Sequence, residues 1–119
     1  MPGIQRVMSE LSWSIALGAS ETAEMYVAPY ALFKVYVPSG VQGTHLQVLG
    51  VPTTGGDEVA STDEYAALKI VEFTAGAEVD LPACVATEHR IKLATCSDSS
   101  GTRQTQSAAR SGGILYCKG

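Results

Sequence analysis

Residues Leu11-Ser12-Trp13-Ser14-Ile15-Ala16-Leu17 alternate large apolar side chains with small ones, position by position. Successive side chains of a pleated chain leave on opposite faces, so a period of two marks a half-buried strand. Leu11, Trp13, Ile15 and Leu17 are expected on the core side, with Ser12, Ser14 and Ala16 on the other. Gly18-Ala19-Ser20 ends the run. A further strand is expected before it, around residues 4–9.

The same pattern continues along the chain. Residues 31–37 read as a strand, with Phe33, Val35 and Val37 on one face and Leu32, Lys34 and Tyr36 opposite. Pro38-Ser39-Gly40 stops it, because proline cannot donate to a ladder. Residues 44–51 alternate again, with Leu46 and Val48 inward and His45 and Gln47 outward. Pro52-Thr53-Thr54-Gly55-Gly56-Asp57 is a turn. Residues 65–74 carry two signals. Ala66, Ala67, Leu68, Ile70 and Val71 suit a helical stripe, whereas Ile70-Val71-Glu72-Phe73-Thr74 is rich in strand formers. A short strand over residues 77–81 ends at Pro82, and a loop or one helical turn fills 83–88. Residues 89–96 form a strand with Ile91 and Leu93 inward and Arg90, Lys92 and Ala94 outward. Residues 97–111 are small and polar and read as a long mobile loop, before a last strand over 114–118. About eight short strands bounded by Gly, Pro and Ser/Thr clusters predict an all-β chain, an antiparallel β-sandwich or jelly roll. It is expected to be a single domain over residues 1–119, with 1–10 a candidate extended arm.

Function classes are narrowed by charge. Only 17% of residues are charged, the net charge is −4, and Lys and Arg form no run. Phosphate neutralisation drives nucleic-acid binding, so neither a nucleic acid nor an acidic membrane surface is an expected partner. No run of apolar residues is long enough to span a bilayer, and no signal peptide is expected. The three cysteines, Cys84, Cys96 and Cys117, are an odd set without export features. They are expected as free thiols, with a Cys96–Cys117 bridge the alternative.

No chemistry-bearing constellation emerges. His45 and His89 stand outside any metal-ligand spacing. The cysteines make no CxxC pair, and the seven-residue separation of His89 and Cys96 puts them on opposite strand faces. Asp57-Glu58 and Asp63-Glu64 lack the alternation of a calcium loop and read as solvated turn carboxylates. The expectation is a chain that is not an enzyme, with no catalytic residue, metal, cofactor or small-molecule substrate. Two features point to contacts instead. Met25-Tyr26-Val27-Ala28-Pro29-Tyr30 combines residues enriched in interface cores, which makes Met25, Tyr26 and Tyr30 candidates. Arg103 and Arg110 sit among small residues, a setting suited to docking on an acidic neighbour.

From Pro29 onward one order of elements is distinctive. A strand enters Val37-Pro38-Ser39-Gly40, followed by Gly43-Thr44-His45-Leu46-Gln47-Val48 and the turn Thr54-Gly55-Gly56. Then come Val79-Asp80-Leu81-Pro82, Arg90-Ile91-Lys92-Leu93, a small-residue loop, and Gln106-Ser107-Ala108-Ala109-Arg110. This order resembles small β-sandwich virion structural proteins of tailed bacteriophages. The middle turn departs from their usual serine, aspartate and glycine pair, reading Pro52-Thr53-Thr54-Gly55-Gly56-Asp57. The resemblance implies a role on the virion, most simply a capsid cement or decoration protein. Its implied partners are the major capsid protein and further copies of itself, as dimer or trimer, at the capsid surface after synthesis in the host cytoplasm. A tail or head–tail accessory part and a carbohydrate- or receptor-binding module are the alternatives. For the last, Trp13, Tyr26, Tyr30 and Tyr65 are the stacking candidates.

Overall fold

The computed structural model describes residues 8–27, 30–51, 59–60, 69–81 and 90–118. All regular structure among them is strand: β1 (Met8–Ile15), β2 (Met25–Tyr26), β3 (Tyr30–Val37), β4 (His45–Val51), β5 (Val59–Ala60), β6 (Ile70–Glu72), β7 (Ala77–Asp80), β8 (Arg90–Cys96) and β9 (Arg110–Lys118). Every pairing is antiparallel, and the pairs are nested. β1 pairs β9, β2 pairs β8, β3 pairs β7, and β4 pairs both β5 and β6. The chain is therefore one long hairpin with its tip between β4 and β5. Rolling that hairpin over brings β9 beside β3 and β8 beside β4. Two sheets result, β1-β9-β3-β7 (sheet one) and β2-β8-β4-β5 with β6 also on β4 (sheet two). Because β6 faces His45–Gln47 and β5 faces Leu49 and Gly50, they act as one strand in two pieces. The protein is an all-β sandwich with the strand order of a jelly roll.

The core lies between the sheets and follows the alternation. Trp13 and Ile15 of β1, Val35 and Val37 of β3, and Ile114 of β9 face Leu46 and Val48 of β4 and Ile91 and Leu93 of β8. Short β-branched residues dominate, which suits a flat pleated surface. Cross-strand neighbours match in register: Leu11 lies opposite Ile114 and Val48 opposite Leu93.

Three expectations change. β1 ends at Ile15, and the chain turns at Leu17 and Gly18, the latter at φ 82°, with Ala19 N donating to Ala16 O (3.0 Å). Leu17 is consequently 70% exposed instead of inward. Second, Gln47 and Ala94, placed outward by alternation, are buried. Period two assigns a residue to a face but is silent on whether that face is covered. Third, no separate strand precedes β1 among the described residues, because Met8 and Ser9 already belong to it. Residues 4–7, the turn at 52–57, the helical or strand alternative at 65–68 and the segment 82–89 lie outside the described residues. Where 70–72 is described it is strand.

The sole tryptophan sets a tight steric condition. Gly112 lies opposite Trp13, and a Cβ there would sit 2.7 Å from the Tyr36 carbonyl oxygen and 2.8 Å from the indole ring. Backbone on one side and a packed ring on the other leave nothing free to yield. The indole N–H is itself buried without a hydrogen-bond partner among the described residues, so the ring is held by packing alone. Gly112→Ala should therefore lower stability by about 1–3 kcal/mol. Urea unfolding followed by Trp13 fluorescence reads the loss, and an unchanged midpoint would contradict this packing.

Candidate functional site

Four connections meet at one end of the sandwich: β1–β2, β3–β4, β6–β7 and β8–β9. Gln106, 1% exposed, joins three of them. Its Nε2 donates to Gln42 O (2.8 Å) and to Thr95 Oγ1 (3.0 Å), and its Oε1 accepts from Gln42 N (2.9 Å). Its backbone N donates to Ala19 O (2.9 Å), and its carbonyl accepts from Gly18 N (2.8 Å). Ser107 N donates to Gln42 Oε1 (2.7 Å), completing a reciprocal pair of glutamines. Thr95 Oγ1 in turn donates to Gln104 O (2.7 Å). A buried amide with all its groups satisfied fixes geometry, since each bond left unmade would carry a desolvation penalty.

The β8–β9 connection is accordingly not the mobile loop its composition predicts. Ser97 N donates to Thr102 O (2.8 Å), Gln104 N donates to Thr95 O (2.8 Å), and Arg103 bridges back to Cys96. Asp98 Oδ1 accepts from Ser100 N (2.9 Å) and Thr102 N (3.2 Å) and so closes the turn. A side-chain hydrogen bond from Thr102, with the backbone bonds from Thr102 and Ser100 adding to it, holds the Asp98 carboxyl below its ordinary range.

The outer faces of the two sheets differ. On sheet two, Gln47 and Leu49 of β4 and Ala94 and Cys96 of β8 are all buried. Part of the cover is Arg103, which donates through Nη1 to Gln47 Oε1, lies 3.8 Å from Cys96 Sγ and reaches Glu21 Oε2 at 3.4 Å. Lys92 approaches the other Glu21 oxygen at 4.0 Å. Burial pushes the Cys96 thiol above its ordinary range, against the opposing pull of the Arg103 hydrogen bond and charge. Cys96 is free, which excludes the Cys96–Cys117 bridge. The two residues belong to different sheets.

Sheet one shows mostly exposed residues among the described positions of its outer face. Ser12 and Ser14 of β1, Ser111 of β9, Lys34 and Tyr36 of β3, and Glu78 and Asp80 of β7 are exposed. One end of this face is low, being floored by Ser111 and the buried Gly113, with Tyr36 (41% exposed) on the adjacent strand. Its β7 side is charged: Lys34 Nζ lies 3.8 Å from Glu78 and 3.6 Å from Asp80. Both pairs are exposed and contribute little to stability.

The residues singled out in the sequence do not converge. Met25 points into the core, while its neighbour Tyr26 is 61% exposed at the edge of sheet two. Tyr30 opens β3 opposite Lys118. Arg103 is held by Gln47 and Glu21, and half-buried Arg110 starts β9 with its Nε 3.4 Å from Gln106 Oε1. His45 bonds Thr44 Oγ1 through Nδ1 (2.7 Å), and no group of metal-ligating side chains occurs among the described residues. Gln106 escaped the sequence reading because its partners lie far away in the chain, Gln42 by 64 positions. No protein-family model matches this chain, and neither does any of the curated proteins or solved structures compared with it.

Two outcomes follow from this geometry. Gln106→Ala leaves the amide of Gln42 and the hydroxyl of Thr95 without their partner, so stability should fall by about 1–3 kcal/mol. Hydrogen exchange at Gln42 should accelerate with it, and unchanged protection there would contradict the role. The Asp98 bonds carry a pH signature. A carboxyl with a depressed folded-state pKa contributes above its ordinary value of 3.8 and loses that contribution as pH falls through the folded value. In an NMR titration the Ser100 and Thr102 amide shifts should stay constant at neutral pH and move with a midpoint below 3.8, and Asp98→Asn should abolish that movement.

Proposed function

We propose that this chain is a non-catalytic structural protein of a tailed-bacteriophage virion, a cement or decoration protein that binds the capsid surface and stabilises capsomer contacts. The observation that carries this reading is the contrast between the sheets: the middle of sheet two's outer side is buried at Gln47, Leu49, Ala94 and Cys96, whereas the described outer positions of sheet one are exposed except at Gly113. A broad, shallow face suits contact between two protein surfaces better than capture of a small molecule, which needs concavity. The jelly-roll order supports it as a fold used in viral capsid domains, although lectins and cupins share that architecture. Repetition on a lattice supplies the affinity: many weak contacts add through avidity. A carbohydrate-binding tail module is the second reading, favoured by exposed Tyr26 and Tyr36. Trp13, its largest stacking candidate, is buried in the core.

The test is rebinding. Purified protein added to stripped virions should return at stoichiometric copy number, with density between capsomers. Protein found only in host cytosol overturns the proposal. Binding to a glycan array, with no affinity for particles, moves the assignment to the second reading. Ser111→Arg sits near one end of that face on an exposed position and should alter stability by less than about 0.5 kcal/mol. It should lower particle occupancy at least about tenfold. Occupancy equal to the unmodified chain would exclude this face as the contact.

A further inference from the structure

A sandwich of two open sheets has four edges, and three of them here are guarded. On sheet one, β7 is four residues long, and its acidic Glu78 and Asp80 pair with Lys34. On sheet two, β2 is two residues long and is continued only by the single bridge of Glu21 to Ala94. The register slips by one residue between that bridge and the Met25–Ile91 pair, which is a bulge. The opposite edge is split between β5 and β6, of two and three residues. Short strands, bulges and charges are the usual means of keeping an edge from pairing with another chain.

The fourth edge has none of them. β1 runs uninterrupted for eight residues, Met8-Ser9-Glu10-Leu11-Ser12-Trp13-Ser14-Ile15, in continuous register with β9. It contains no proline, glycine or lysine, and Glu10 is its only charged residue. Among the described residues it pairs on one side only. Leu11 packs against the core yet remains partly exposed, so the apolar layer is left incomplete at this edge.

We infer that β1 is the self-association edge of this protein: two copies pair β1 to β1 in antiparallel fashion about a two-fold axis at Ser12, joining their four-stranded sheets into one of eight. An antiparallel pair of identical strands is self-complementary, as a closed two-fold dimer requires. The centring follows from charge, apolar matching and overlap, since a pairing centred on Trp13 joins only five residues of each β1 where one centred on Ser12 joins seven. With Ser12 opposite Ser12, Glu10 faces Ser14, and Leu11 faces Trp13 on both sides of the axis. A pairing centred on Glu10 sets like charges opposite each other, which is unfavourable. One centred on Leu11 puts Ser9 opposite Trp13 and forgoes the Leu11–Trp13 match. The inference stands on the edge geometry and not on the virion role.

Light scattering across a concentration series up to about 1 mM reads it first. The unmodified chain should reach twice its 12.4 kDa mass. Ser12→Glu combined with Ser14→Glu places like charges at the axis and opposite Glu10, on exposed side chains that the monomer does not need. It should weaken the dimer at least about tenfold while leaving the far-UV spectrum unchanged. Ser12→Cys should form an intermolecular disulfide at position 12 under mild oxidation, read by peptide mass spectrometry, whereas Ser111→Cys on the central strand should not. A chain monomeric throughout the series overturns the inference. So does a dimer that ignores both glutamates and fails to cross-link at position 12. A dimer that does not bind particles leaves the β1 pairing intact and removes only the virion role, while a particle-binding monomer does the reverse.

Discussion

The buried amide of Gln106 ties the two sheets together at one end. Apolar contact between the sheets is non-directional and tolerates sliding. The Gln106 bonds do not tolerate it: they fix the β1–β2 connection, the β3–β4 connection and the end of β8 at stated distances. That restraint aligns the valine and isoleucine rows of β3, β4, β8 and β9. It also holds Arg110 and the start of β9 in place.

A second consequence is the division of labour between faces. The β8–β9 connection, anchored at Thr95 and Gln106, carries Arg103 over the outer side of sheet two. Polar side chains there are occupied with one another, and the Cys96 thiol beneath them is kept protonated by burial. Among the described residues nothing comparable lies over Ser12, Ser14, Ser111 and Tyr36 on sheet one, all of which are exposed. The same loop that closes one face thus leaves the other as the surface open to contact.

Alternation made the strands legible and placed most of the core. The inward sets of β1 and β8, namely Trp13, Ile15, Ile91 and Leu93, followed directly from it. It failed at Leu17, where a turn takes over before the hydrophobic pattern stops. It failed at Gln47 and Ala94, because a pleat encodes two faces but not a third layer above one of them. The segment before β9 misled for a related reason. Ser, Thr, Gly and Gln compose mobile loops, and they equally compose buried hydrogen-bonded plugs. Only distant partners separate the two cases, as with Thr22 Oγ1 accepting from Leu93 N across 71 positions. For the contact residues, Met25 shows the ambiguity plainly, since a core methionine and an interface methionine are written with the same letter.

The position of β9 has a bearing on how the chain reaches this state. β9 follows every other strand in sequence, yet it lies between β1 and β3 in sheet one. Until it emerges from the ribosome, β1 has no neighbour in its sheet and β3 has only β7. Most of sheet one therefore assembles late, through pairings that span nearly the whole chain, and topologies dominated by such distant pairings fold slowly. During that interval the apolar inner side of β1 stays uncovered, and the nascent chain is exposed to aggregation until β9 has been made.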